Sequence, residues 1–107
     1  MFENIIKKIE FETFGTIRDL NVEELWSVTI SIMKKVEKEK YLPGSSKKEI
    51  VLKILIHLID KKVDDCYEKE TLLYITNNHL PHIIDVLVFV SKNHISLKKL
   101  SGRFCCF

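Results

Sequence analysis

Apolar positions recur along this chain at helical spacing. Phe2, Ile5, Ile6 and Ile9 fall close to i, i+3, i+4 and i+7, which predicts a short amphipathic helix over residues 2–12. Gly15 and Thr16 interrupt it, and Phe14–Leu20 is expected to be a turn, or a single helical turn, that supplies apolar anchors. Asn21, with Glu24 three residues on, reads as an N-cap. Beyond it, Val22, Leu25, Trp26, Thr29, Ile32, Met33 and Val36 trace one face of a helix predicted to reach about Lys40. Glu23 and Glu24 sit at the positive end of its dipole, and Lys34, Lys35, Lys38 and Lys40 crowd the negative end. Both placements are favourable by a few tenths of a kcal/mol per residue.

The run Leu42-Pro43-Gly44-Ser45-Ser46-Lys47-Lys48-Glu49 breaks that helix and launches the next. Ser46 and Glu49 have the spacing of a capping box, so the new helix is expected from Lys47 to about Val63. Ile50, Val51, Leu52, Ile54, Leu55, Ile56, Leu58 and Ile59 cover more than half of its circumference. A surface helix carries one apolar stripe; this pattern predicts a helix that is central, or that faces a partner as well as the core. Lys53 and His57 mark its most exposed line. Asp64-Asp65 ends it and is placed to cap a helix over residues 66–78, which Asn77-Asn78 would terminate through the tolerance of Asn for left-handed backbone angles. Pro81 suits the first turn of a last helix to about Lys92, with Ile83, Ile84, Leu87, Val88 and Val90 on its buried face. Its β-branched content leaves a strand as the alternative; Pro81, Asp85 and the spacing favour helix. The expected architecture is all-α: one domain over 1–107, a compact bundle of four to five helices with a central apolar helix and a less regular tail at 95–107.

Composition agrees with a packed domain. The chain has 107 residues, 46% hydrophobic and 30% charged, and five Gly or Pro in all, too few for a turn-rich sandwich or barrel. Seventeen basic and fifteen acidic residues intermix to a net charge of +2, which gives no dominant field for nucleic acid or an anionic membrane. Met1–Ile9 lacks the continuous apolar core of a signal peptide, and no apolar run reaches the ~18 residues of a membrane span. Cys66, Cys105 and Cys106 form no disulfide framework, so an intracellular, reducing compartment is the simpler expectation.

Candidate chemistry is sparse. His79 and His82 form an H-x-x-H pair without a C-x-x-C partner, and surface histidines flanking a helix start are the plainer reading than zinc. Asp60, Asp64, Asp65 and Asp85 show no convergence of the kind acid–base catalysis needs. Asp85 interrupts an apolar run, and a first-turn position near the helix dipole explains it. Gly44-Ser45-Ser46-Lys47-Lys48 lacks the full phosphate-loop pattern and any preceding strand, so it reads as a cap with adjacent lysines. Most of the lysine groups at 34–40, 47–48, 61–62 and 98–99 are interleaved with acids, and they read as solvated faces. Cys105 and Cys106 are not in a prenylation arrangement, because Phe104 stands where the cysteine would be; docking of Phe104 and Phe107 onto the bundle is the plain expectation.

The order Gly44-Ser45-Ser46-Lys47-Lys48-Glu49-Ile50-Val51, Leu58-Ile59-Asp60, Leu80-Pro81-His82-Ile83-Ile84-Asp85 and Ser91-Lys92 resembles a pattern in small helical proteins of large eukaryotic DNA viruses, over residues 41–97. That resemblance implies a small accessory or virion-associated protein, located in host cytoplasm or virion, and brings no catalytic residues. The expected function is a non-enzymatic structural or protein-interaction module, without cofactor or metal, that acts through apolar helix surfaces. The expected contact residues are Lys53, Ile56, His57, Phe89, Phe104 and Phe107, facing a protein partner or a second copy. The rival is a weak nucleic-acid binder using the lysine-rich helix ends.

Overall fold

A computed structural model describes residues 3–15, 17, 20–39 and 42–92, the side chains of 91 and 92 excepted. They form five helices: α1 (Glu3–Phe14), α2 (Val22–Glu37), α3 (Gly44–Lys62), α4 (Cys66–Asn78) and α5 (Leu80–Lys92). Among the described residues there is no strand, so the bundle is all-α and the 80–92 segment is a helix. Phe104 and Phe107, with Cys105, Cys106 and the rest of the predicted tail, lie outside the described residues.

The helix ends follow local chemistry. The Asn21 side chain accepts from Glu24 N–H at 2.8 Å, and its carbonyl accepts from Leu25 N–H at 2.9 Å, so α2 starts where the cap was expected. It stops at Glu37, three residues short of Lys40, because Glu39 N–H turns back onto the Val36 carbonyl at 3.0 Å. Asp65 caps α4 as expected, accepting from Tyr67 N–H at 3.0 Å. The left-handed stop at Asn77-Asn78 is not seen: His79 keeps right-handed angles (φ −115°, ψ −41°), its N–H closes on Ile75 O and its own carbonyl accepts from Ile83 N–H. One residue thus ends α4 and begins α5.

The start of α3 differs from the sequence expectation. Its N-cap is Pro43, in extended backbone, with no side-chain cap, and Lys47 N–H already donates to the Pro43 carbonyl at 3.0 Å. The helix begins three residues early, so Ser46 and Glu49 lie inside it and the capping box does not form. Proline is at home at a helix start, where its missing N–H has no partner to lose.

The core is organised around α3, which packs against each of the other four helices. Ile50, Val51, Ile54, Leu55, Leu58 and Ile59 are buried on it, against Leu25, Ile32, Met33 and Val36 of α2, Leu72 of α4, Leu80, Ile84 and Leu87 of α5 and Ile9 of α1. Each full burial of such a side chain contributes about 1.5–3 kcal/mol. Three buried threonines fit this core because each hydroxyl donates to the carbonyl four residues back: Thr13 to Ile9 at 2.7 Å, Thr29 to Leu25 at 2.7 Å and Thr76 to Leu72 at 2.8 Å.

Candidate interaction surface

Most of the apolar circumference of α3 is used inside the molecule, which leaves one outer ridge. At roughly 100° per residue, Glu49, Lys53, Ile56 and Asp60 share one side of the helix. Glu49, Lys53 and Asp60 are exposed there, while Ile56 and the neighbouring Leu52 are half-buried. Lys48 and His57 define the ridge's two borders, since each is anchored to a different neighbouring helix.

On the His57 border stands α1. His57 Nδ1 lies 2.6 Å from Glu10 Oε1, a distance at which the ring N–H donates to the carboxylate. The Lys61 and Lys62 ammonium groups lie 5.5 and 4.9 Å from the centre of the Phe14 ring. On its other flank α1 reaches α2 through Lys35–Glu12 at 4.0 Å and approaches the α2 C-terminus through Lys8–Glu39 at 3.9 Å. Between α1 and α3 runs an open groove of about 720 Å³, lined by Glu3, Ile6, Lys7 and Glu10 from one side and Lys53, His57, Asp60 and Lys61 from the other.

On the Lys48 border stands α5. The ammonium of Lys48 donates to both carboxylate oxygens of Asp85, at 2.9 Å each. Asp85 is the sixth residue of α5, so the first-turn dipole reading is corrected: its role is to hold α5 against the first turns of α3. The pair sits in a cleft of about 240 Å³ with Gly44, Ser45, Ile84 and Val88, and among the described residues no histidine lines that cleft. Phe89 lies one turn beyond Asp85 and is exposed, as is Val86 three residues before it.

Of the expected contact residues, the structure brings Lys53, Ile56 and His57 together on the outer side of α3. Phe89 is on the neighbouring helix, and Phe104 and Phe107 are outside the described residues. His79 makes an edge contact with the Tyr74 ring, centroid to centroid 5.6 Å, and among the described residues no three His, Cys, Asp or Glu side chains group as a metal would need. Cys66 is a free, exposed thiol. No described helix is long and apolar enough to cross a membrane.

Sequence reasoning missed Lys47. Read as a solvated cap lysine, it is 0% exposed, with Nζ 3.4 Å from the Glu37 carbonyl oxygen and 3.8 Å from Glu37 Oε2. Its ammonium therefore sits at the negative end of the α2 dipole, against a terminal carbonyl that has no partner within the helix. The signal was in the spacing. Lys47 precedes Ile50, Val51 and Ile54 by three, four and seven residues, so it belongs to the buried stripe once the helix starts early enough to include it.

No protein-family model, curated protein or solved structure matches the chain.

Proposed function

We propose that this chain is a non-enzymatic structural or interaction module that works by burying outer helix faces against further copies of itself, as a minor virion or assembly component would. The observation that carries this reading is the set of large apolar side chains left on the outside after α3 has filled the core. Phe11 is 84% exposed, and Val22, Trp26, Tyr67, Tyr74, Val86 and Phe89 are exposed on the outer sides of α2, α4 and α5. Aromatic side chains of this kind supply much of the binding energy at protein interfaces. A net charge of only +2, with both signs intermixed, allows copies to approach without strong repulsion.

The lysines add support, because several that could have met a phosphate backbone are engaged within the molecule. Lys35 faces Glu12, Lys47 is buried, Lys48 holds Asp85, and Lys61 and Lys62 lie over Phe14. Light scattering over a concentration series, under reducing conditions, tests the reading. A mass that rises with concentration is expected. A chain that stays monomeric throughout, and binds duplex DNA with an affinity that falls steeply with salt, would replace this reading with the nucleic-acid one.

A further inference from the structure

The charges along α1 run against its own dipole. Glu3 opens the helix favourably, but Lys7 and Lys8 come before Glu10 and Glu12, and Glu12 stands in a last turn that holds no basic residue. Acids at that end face the partial negative charge of the terminal carbonyls. Lys8 and Glu12, one turn apart, also have the weaker of the two orientations for such a pair. At 12 residues α1 is near the length at which an isolated helix is marginal in water. It is therefore a helix that depends on what it is docked against.

The docking is shallow and ringed by charge. Within α1 only Ile9 and Thr13 are buried, and the Thr13 hydroxyl donates to a carbonyl of its own helix, that of Ile9. Ile5, Ile6 and Phe14 are half-buried at the edge of the core. The cations that α1 lacks at its negative end come from its neighbours. Lys35 of α2 lies 4.0 Å from Glu12 and 3.5 Å from the Thr13 hydroxyl, His57 of α3 donates to Glu10, and Lys61 and Lys62 stand over Phe14. Lys35–Glu12 and Lys8–Glu39 are partly exposed and at the long edge of ion pairing, so salt screens them. Helix α4 also buries few side chains, but it carries a formed cap at Asp65 and runs into α5 through His79. We propose that α1 is a releasable strap, latched to α2 and α3 by their basic side chains. It lets go as a unit, unravelling as it does so, while the other four helices stay folded around α3. Release bares the face of α2 and α3 that Ile9 closes.

Native-state hydrogen exchange on the full chain, in small steps of urea, tests this. The amides of residues 7–14 are expected to exchange through an opening of their own. Their protection should lie at least about tenfold below that of residues 50–59 and depend little on urea, because a local event exposes little surface. Raising the salt from about 0.02 M to about 0.5 M is expected to lower α1 protection several-fold. The double variant Lys35→Gln/His57→Ala removes two cations of the latch without touching α1, and should lower that protection about fivefold or more. Amides of α1 that exchange with the free energy and urea dependence of α3 would show that the helix has no release of its own, and would overturn the strap. A separate opening that neither salt nor the double variant changes would overturn the latch. Should the double variant not fold, the salt series on the parent decides the matter.

Discussion

Replacing Lys47 by Met would show what holds α2 to α3. Methionine keeps the unbranched stem and most of the volume, so the change removes the ammonium with little cavity. In the parent, Nζ is within 3.8 Å of a Glu37 carboxylate oxygen and 3.4 Å of the Glu37 carbonyl, at a site that is closed to water on the lysine side and only partly open on the glutamate side. Removing one member of a fully buried pair costs about 3–5 kcal/mol, because the other charge stays behind. The Glu37 side chain is 17% exposed and keeps some access to water, so a smaller cost, about 2–3 kcal/mol, is expected here. For a chain of this length that is a fall in Tm of roughly 10 °C or more. Urea unfolding followed by circular dichroism gives the free energy directly. The double variant E37M/K47M removes both members of this contact and should recover to within about 1 kcal/mol of the parent, as apolar replacements of buried pairs often do. A Lys47→Met protein within about 0.5 kcal/mol of the parent would refute the claim that a buried charge contact joins these helices.

Three further outcomes follow from the packing. Leu55→Ala, at a position with no exposure on the central helix, should cost about 2–5 kcal/mol in urea unfolding. Asn21→Ala removes a formed cap and should cost about 1 kcal/mol, whereas Ser46→Ala, where the capping box does not form, should change stability by less than about 0.5 kcal/mol. Asp85→Asn weakens a partly exposed ion pair and should lower stability by about 1 kcal/mol or less, in an effect that shrinks with added salt.

The helices were legible because their apolar spacing, Asn21, Asp65 and Pro81 all act locally. The all-round apolar character of residues 50–59 also announced the centre of the bundle, since four helices are needed to cover it. What sequence reasoning got wrong lay at the junction before α3. Ser46 and Glu49 have the right spacing for a cap, but Pro43 and Gly44 open the helix earlier, and the choice between two adjacent starts turns on tertiary packing that brings Lys47 to Glu37. The partners of Asp85, His57 and Phe14 were likewise out of reach. Each is a contact between helices far apart in the chain, and spacing within one helix says nothing about which helix lies beside it. The outer ridge was legible in part: Lys53 and His57 were expected on the exposed line, but only the positions of α1 and α5 show where that line is bordered.

Native-state hydrogen exchange on α3 tests the central claim most directly, that this helix is the hub on which the other four depend. If it is, the amides of residues 50–59 exchange only through global unfolding, with the highest protection in the chain, and lose protection together with it in Leu55→Ala. Exchange of those amides through a local opening, at a lower free energy than the amides of α2 or α4, would contradict it.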